Sequence, residues 1–400
     1  MNEEYIRVPY GSTVHGEEEI KAVVEVLNTT TQMSLNTEKF EIEVSSLFNK
    51  EYGLMVNSGS SALYLIIESL GIEPNSEVIT PALTFATTVG CLVKNSLVPS
   101  FVDVVPDTYC INADLIEEKI THKTKAILAP NLIGNICEWD KIRDIANTNN
   151  LILIEDSADC LGSTLNGKPT GSYSDHSITS FYGSHIINGA GNGGMLCTSD
   201  KKIYEKAKLL RSWGRSSSLF DDSEAIEERF KVSLEGIEYD AKFVFEEIGY
   251  QLEPSEISAA FALIQLRNLK ENTLKRQETF NKHNAFLKDY KKWISLPEQT
   301  KSSETGWLAY PIVISKEAPF SRRDLQIFLE QRNIQTRVVF TGNILRQPGF
   351  KDIDCVGKAD DFVVADEVMR GGMLLACHHG LSQKQIDHIH DSMKSFFNTL

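Results

Sequence analysis

Paired cysteines, basic runs and long apolar runs are all missing from this 400-residue chain. Its seven cysteines (Cys91, Cys110, Cys137, Cys160, Cys197, Cys355 and Cys377) stand far apart, odd in number and without a CxxC pair. That argues against a disulfide frame or a thiolate zinc site and fits the reduced thiols of a cytoplasmic protein. Lysine and arginine total 40 against 55 aspartates and glutamates, a net charge of -15. Such a chain is not built for nucleic acid or an anionic membrane, although a few local arginines suffice for a small anionic substrate. No apolar run approaches the roughly 20 residues of a membrane helix, and the opening MNEEYIRVPYGS lacks the basic and apolar regions of a signal peptide. Repeats and low-complexity linkers are absent too. So are GxxxxGK(S/T), GxSxG and HExxH. The two histidines of Asp387-His388-Ile389-His390 are at i,i+2 and share no helix face, so no metal site is expected.

What is present is the material of an α/β enzyme. At 42% hydrophobic residues and 400 positions, the chain exceeds what one core usually serves. Short β-rich runs at Tyr52–Val56, Glu77–Thr80, Val98–Val104, Ala126–Ala129, Leu151–Glu155, Ser177–Tyr182 and Gly194–Thr198 alternate with helical stretches. Those stretches are Ala62–Leu70, Thr88–Asn95, Asn112–Ile120 and Trp139–Asn147. This alternation predicts βαβ units, a mainly parallel sheet, and a ligand beyond the strands' C-terminal ends. Pro254–Tyr290 reads as one or two long helices. Beyond it come strands at Trp307–Ile314, Ile334–Phe340 and Gly372–Cys377 and helices at Ser321–Gln331 and Gln383–Phe397. We therefore expect a large domain over 1–270, including the N-terminal segment, and a smaller α/β domain over 271–400.

Several segments carry candidate chemistry. In GLMVNSGSSALYLIIESLG a strand enters a helix through Gly59, Ser60 and Ser61, which is either a phosphate cup or an ordinary capped helix start. LILIEDSADCLGS ends a buried strand in Glu155-Asp156. A carboxylate there suits a protonated ring nitrogen, a metal or a helix cap. Phe85 in PALTFATT can cover a flat ring or simply pack in the core. In SITSFYGSHIINGAGNGGML, His185 follows a strand and precedes glycines; it is a catalytic imidazole or a hydrogen-bonded structural one. His378-His379 line a site or cap a strand.

In order along the chain, NSGSSA, TPALTFATTVG, VPSFVDV, KTKAILAPNLIGN, LIEDSADCLGS, SFYGSH, GNGGM, SWGR, IGYQLEPSEISAA and RVVFTGNILRQPGF resemble the DegT/StrS family of sugar aminotransferases, a branch of fold-type I PLP enzymes. The resemblance implies the aspartate aminotransferase fold and a homodimer with its active site at the interface. It implies Gly59, Ser60, Ser61 and Ser180 at the cofactor phosphate, Phe85 against the ring, Asp156 at the pyridine nitrogen and Asp159 near the ring hydroxyl. The residue after the GY pair, usually Asn in the family, is Gln251 here; it would reach the phosphate of the neighbouring subunit.

The family's Schiff-base lysine falls at position 185, and that residue is His. No lysine lies between Lys168 and Lys201. Imidazole has no primary amine, so the cofactor would work as PMP, with His185 as base and acid near its ordinary pKa of about 6.5. This substitution resembles the family's dehydratase branches, which act on nucleotide-linked 4-keto-6-deoxyhexoses. One of them holds a [2Fe-2S] cluster on cysteines that would fall near Ala158, Ser216, Ser218 and a position about eight residues on. No cysteine lies between Cys197 and Cys355, so the cluster-free, GDP-sugar branch is the expectation. The resemblance then implies a lyase of 3,6-dideoxysugar and lipopolysaccharide O-antigen synthesis, removing the C3 hydroxyl, with L-glutamate regenerating PMP. Arg211, Arg215, Arg337, Arg346 and His378 are candidate substrate contacts or surface and strand-end residues. The competing functions are a sugar aminotransferase using another base and a non-catalytic PLP- or sugar-binding regulator.

Overall fold

In the computed structural model, which describes residues 5–220 and 225–400, seven strands form one sheet. They are β1 (Tyr52–Val56), β2 (Glu77–Pro81), β3 (Val98–Val102), β4 (Thr124–Pro130), β5 (Ile152–Asp156), β6 (His176–Ser180) and β7 (Gly194–Thr198). Their spatial order is β1-β7-β6-β5-β4-β2-β3. All neighbours from β6 to β3 are parallel, while β7 runs antiparallel to both β1 and β6. The expected mainly parallel α/β sheet is therefore what the chain forms.

Strands buried on both faces need apolar side chains at successive positions, and these alternate between two cores. Val78, Ala126, Leu128 and Ile154 face α3 (Gly59–Ser69), α4 (Ala86–Lys94) and α6 (Lys201–Arg211). Ile79, Ile127, Ala129 and Leu153 face α5 (Trp139–Asn149), where Trp139 and Ile142 are fully buried or nearly so. α1 (Glu17–Asn28) and α2 (Leu35–Leu47) precede the sheet.

After the sheet, α7 (Glu256–Arg267) breaks at Asn268 and α8 (Leu269–Leu287) carries the chain into a second, antiparallel sheet. Its strands are β8 (Ile294–Ser295), β9 (Tyr310–Ile314), β10 (Arg337–Val338) and β11 (Gly372–Leu375), in the order β8-β9-β11-β10. Helices α9 (Arg322–Glu330), α10 (Val363–Gly371) and α11 (Gln383–Phe397) accompany it. The N-terminal strand-like segment joins this unit, for Val8 bridges Ile334 in parallel and packs in its core.

Two expectations need correction. Residues 112–120 form two 3-10 turns, Ala113–Leu115 and Glu117–Lys119, in place of a helix. The Asn112 side chain accepts from Asp114 N at 3.1 Å, and a segment this short gains too little from propagation to nucleate α-helix. The strand expected over 334–340 shrinks to Arg337–Val338, because Phe340 takes a positive φ of 41° and Gly342 one of 61°, turning the chain.

The start of the sheet is tied down by one buried ion pair. Arg211, at the end of α6, donates to Glu41 Oε1 and to the carbonyl of Met55, each at 2.8 Å, and Glu41 also accepts from Met55 N at 2.7 Å. Removing one member strands the other in a site that already disfavours charge. Arg211→Met is expected to lower unfolding stability by about 3 kcal/mol in urea titrations; a loss below ~1 kcal/mol would show that the pair does not anchor β1.

Candidate active site

The parallel strands end around a cavity of about 470 Å³. Its floor begins at the N-terminus of α3. Ser58 is the N-cap, its hydroxyl accepting from Ser61 N at 3.0 Å, and Gly59 starts the helix. A Cβ on Gly59 would stand 2.7 Å from Ser180 Cβ, and one on Gly194 would stand 2.3 Å from the Ser58 carbonyl. Only bare backbone lets the helix start, the end of β6 and the 189–194 turn meet. The product is an 11-residue helix with its positive end, Gly59, Ser60 and Ser180 turned into the cavity, an arrangement suited to a phosphate.

Asp156 ends β5 on the cavity wall. It accepts from Thr88 Oγ1 at 3.0 Å and from Ala158 N at 3.2 Å, yet burial pushes its carboxyl up to about 6. No basic side chain is paired with it among the described residues. Three positions on, Asp159 accepts from Ile133 N at 3.0 Å. Its carboxyl is raised to about 7, first by burial and then by repulsion from Asp156. Ile133 holds a left-handed φ of 61°, an uncommon conformation for a β-branched residue, and this turn aims its N–H at Asp159. Two desolvated carboxyls in one cavity are what a cationic heteroaromatic ring can stabilise. The residues present fit a pyridinium cofactor.

His185 faces them. Its Nδ1 lies 3.1 Å from the Ser180 carbonyl, a bond that places the proton on Nδ1 and leaves the Nε2 lone pair free. Nε2 is 3.7 Å from Asp159 Oδ1. Burial above all, with some repulsion from Arg276, drives the imidazole down to about 4. At neutral pH the imidazole is therefore uncharged, with a free lone pair on Nε2, while the Asp159 carboxyl beside it stands in the middle of its titration. Phe85, half exposed, packs edge-to-face against Phe340 at 5.9 Å between centroids, and both rings line the cavity.

The profile of the DegT/DnrJ/EryC1/StrS aminotransferase family matches residues 13–394. The chain belongs to that family. Its fold is fold-type I, that of PLP-dependent enzymes related to aspartate aminotransferase. Among DegT/StrS relatives, it is 33% identical to the dTDP-4-dehydro-2,6-dideoxy-D-glucose 3-dehydratase of Saccharopolyspora spinosa, over 97% of this chain and 86% of that protein. It is 27% identical to the GDP-perosamine synthase of Caulobacter vibrioides, over 92% of each chain. The solved Escherichia coli GDP-4-keto-6-deoxy-D-mannose-3-dehydratase with bound hydrated PLP superposes with a TM-score of 0.88 at 26% identity, covering 97% of this chain and 99% of that one.

Seven of the residues singled out from the sequence meet at the cavity: Gly59, Ser60, Phe85, Asp156, Asp159, Ser180 and His185. Ser61 does not line it, because its hydroxyl bonds Asn57 Oδ1 at 2.6 Å and lies 2.9 Å from that of Ser58. Gln251 is exposed, bridged to Ser212 away from this chain's own cavity. Arg211 is spent on Glu41 and Met55. Arg215 sits among aromatics, 4.3 Å from the Trp213 ring centre, and Arg346 is paired with Asp360 and Asp366. Arg337 approaches the cavity only through Tyr10, whose ring centre is 5.4 Å away. His378 lies behind the wall, its Nε2 3.1 Å from the Pro9 carbonyl.

Sequence reading missed Tyr10, Thr87, Tyr182, Asn192 and Phe340, which also line the cavity. Thr87, Tyr182, Asn192 and Phe340 lie within segments already singled out; no local pattern marks Tyr10. Tyr10 is buried deeply enough to keep its phenol protonated well above the usual range.

The raised carboxyl has a measurable consequence without any ligand. A carboxyl whose folded pKa lies above its unfolded value contributes stability below about pH 4 and loses it as pH rises through about 7. Asp159→Asn carries no such penalty. Its stability advantage over wild type is expected to grow from near zero at about pH 4 to on the order of 2–4 kcal/mol above about pH 7. A difference independent of pH in ligand-free denaturation curves would contradict this placement.

Proposed function

We propose that this chain is a PMP/PLP-dependent 3-dehydratase that removes the C3 hydroxyl of a nucleotide-linked 4-keto-6-deoxyhexose, of the GDP-4-keto-6-deoxymannose kind, with L-glutamate regenerating PMP. The observation that carries this is a buried, neutral histidine where the family's Schiff-base lysine stands, its Nε2 open to the cavity and facing Asp159. The role is proton transfer without covalent attachment.

Ser60, Ser180 and the N-terminus of α3 hold the cofactor phosphate, Asp156 the ring nitrogen, Phe85 a ring face, and Asp159 the ring-hydroxyl side. PMP, when bound, supplies a primary amine for the 4-keto carbon and an electron-poor ring that draws electrons from it. Asp156, whose carboxyl burial pushes up to about 6, would be held ionised by facing a protonated ring nitrogen. His185 Nε2 takes up the proton released beside the ring and returns it to the departing C3 hydroxyl. Its Nδ1–H stays on the Ser180 carbonyl and fixes the tautomer throughout. Tyr10, kept as a neutral phenol, offers a hydrogen bond to the sugar. Water reaching the site after the C3 hydroxyl has left would free the 3-deoxy product by hydrolysis, and a second water would then displace its nitrogen as ammonia.

An aminotransferase would need an amine at the cavity, and no lysine lines it among the described residues. Serines stand at 216 and 218, near where the iron–sulfur branch would carry cluster cysteines, and the seven cysteines are free, with none lining the cavity. These observations favour the cluster-free dehydratase over both alternatives. The working unit in this reading is a homodimer. Ile20, Val24 and Leu27 form an exposed apolar stripe on α1, and Ile248 is 95% exposed near Gln251, which would reach the partner's site.

Incubated with PLP, glutamate and a panel of GDP-, CDP-, dTDP- and UDP-4-keto-6-deoxy sugars, the protein is expected to release ammonia and a sugar that has lost water, detected by mass spectrometry. His185→Asn should keep cofactor binding and lose at least ~100-fold in rate. Full dehydration by that variant, or a stable amino sugar as product of the wild type, would overturn the assignment.

A further inference from the structure

The guanidinium of Arg276 is wholly buried and forms no carboxylate ion pair among those described. Arginine carries five N–H donors. Here each has an acceptor: Nε donates to His379 Nδ1 at 3.3 Å, and one terminal nitrogen donates to the carbonyls of Trp307 at 3.2 Å and Leu308 at 3.0 Å. The other terminal nitrogen donates to the carbonyls of Ser184 at 3.3 Å and His185 at 3.1 Å. One turn earlier on α8, Asn272 Nδ2 donates to the Ile186 carbonyl at 3.3 Å. Three consecutive carbonyls of the turn that bears His185 are thus held by one helix.

The geometry points to Arg276 as a positioning residue of the reaction, which clamps the peptide planes on either side of His185 and so fixes the direction of its imidazole. The inference rests on His185 as the proton carrier. A buried cation is costly, and a hydrocarbon would fill the space with no charge to desolvate. What a hydrocarbon lacks is the rigid fork that reaches two peptide planes of one turn while gripping Trp307 and Leu308, the latter a wall of the cavity.

The charge has a second effect. Burial lowers Arg276 only to about 10, so it remains cationic at neutral pH. It then repels a proton on His185, adding to the larger effect of burial. The groups facing His185 are Asp159 at 3.7 Å, Asp156 behind it, Tyr182 of its own turn edge-to-face at 6.1 Å between ring centres, and Tyr10 on the cavity wall; His378 and His379 flank Arg276 and are themselves held neutral by burial. Removing the cation raises the His185 pKa, so the base form is lost at higher pH.

The test compares Arg276→Met and Arg276→Lys in the full-length protein. Backbone hydrogen exchange over residues 183–188 and the NMR titration of His185 are measured without cofactor, and kcat, KM and their pH profiles with PMP loaded. Arg276→Met is expected to speed exchange at 183–188, lower kcat by roughly 10–100-fold with KM changed less than about threefold, and move the acid limb upward by about one pH unit. Arg276→Lys keeps the charge and loses the fork, so exchange should rise and kcat fall while the limb stays in place. A folded Arg276→Met with unchanged exchange and an unmoved limb overturns the clamp. Should that variant fail to fold, Arg276→Lys decides, and wild-type exchange and kcat there overturn it. If His185→Asn retains dehydration, the functional reading falls, while exchange and titration still judge the clamp.

Discussion

Burial of Asp156 and Asp159 at the end of β5 is the constraint on which the site depends. Parallel strands packed on both faces leave a dry crevice where they end, and two carboxyls placed there lose the water that would stabilise their charge. Hydrogen bonds from Thr88, Ala158 and Ile133 recover only part of that. The remaining deficit is of a kind that a positively charged aromatic ring would relieve, by favouring the ionised form of Asp156 that burial disfavours. Two carboxyls buried this way cost stability that apolar side chains would not, and a cationic ligand would recover part of that cost on binding.

The same dryness sets the state of His185. In water an imidazole is part-protonated near neutrality, whereas here burial holds it neutral. The Ser180 carbonyl decides which nitrogen carries the proton. In the proposed reaction a residue that takes a proton, keeps it and returns it needs one free lone pair in a known direction. The hydrogen bond at Nδ1 supplies that from inside the strand–turn segment, with no help from the ligand.

Much of this was legible in the sequence because it depends on local pattern. β1 and β7 have the bounds that their apolar runs predict, and the glycine-and-serine start of α3, the acidic end of β5 and the histidine before the glycines each lie within about a dozen residues of their own motif. Ser61 was misread because the spacing of hydroxyls in NSGSS does not say which ones turn inward; Asn57 and Ser58 take it. Residues 112–120 have helical periodicity but lack the length to propagate. Tyr10 and Arg276 were invisible for another reason. Each reaches the site through tertiary packing across more than 90 residues, by way of the Val8–Ile334 bridge and the α8 helix. Arginines chosen as substrate contacts for their charge turned out to be engaged by aromatics or carboxylates, as Arg215 and Arg346 are.

Exchanging lysine for histidine at position 185 does more than remove an amine. A lysine there would be a flexible four-carbon arm, tethered only when bonded to the cofactor, and its charge would offset Asp159. Histidine is shorter and planar, and its reach is set by the backbone that carries it. If His185 carries the proton as proposed, the geometry of the turn becomes part of the chemistry, and a distortion of about 1 Å in that turn is one the side chain cannot absorb. This explains why so many polar contacts converge on the carbonyls of Ser184, His185 and Ile186, and why they come from α8, the helix that joins the two sheets. A base held this way is only as well placed as the packing between the two sheets, so small changes far from the cavity along α8 should be felt at Nε2.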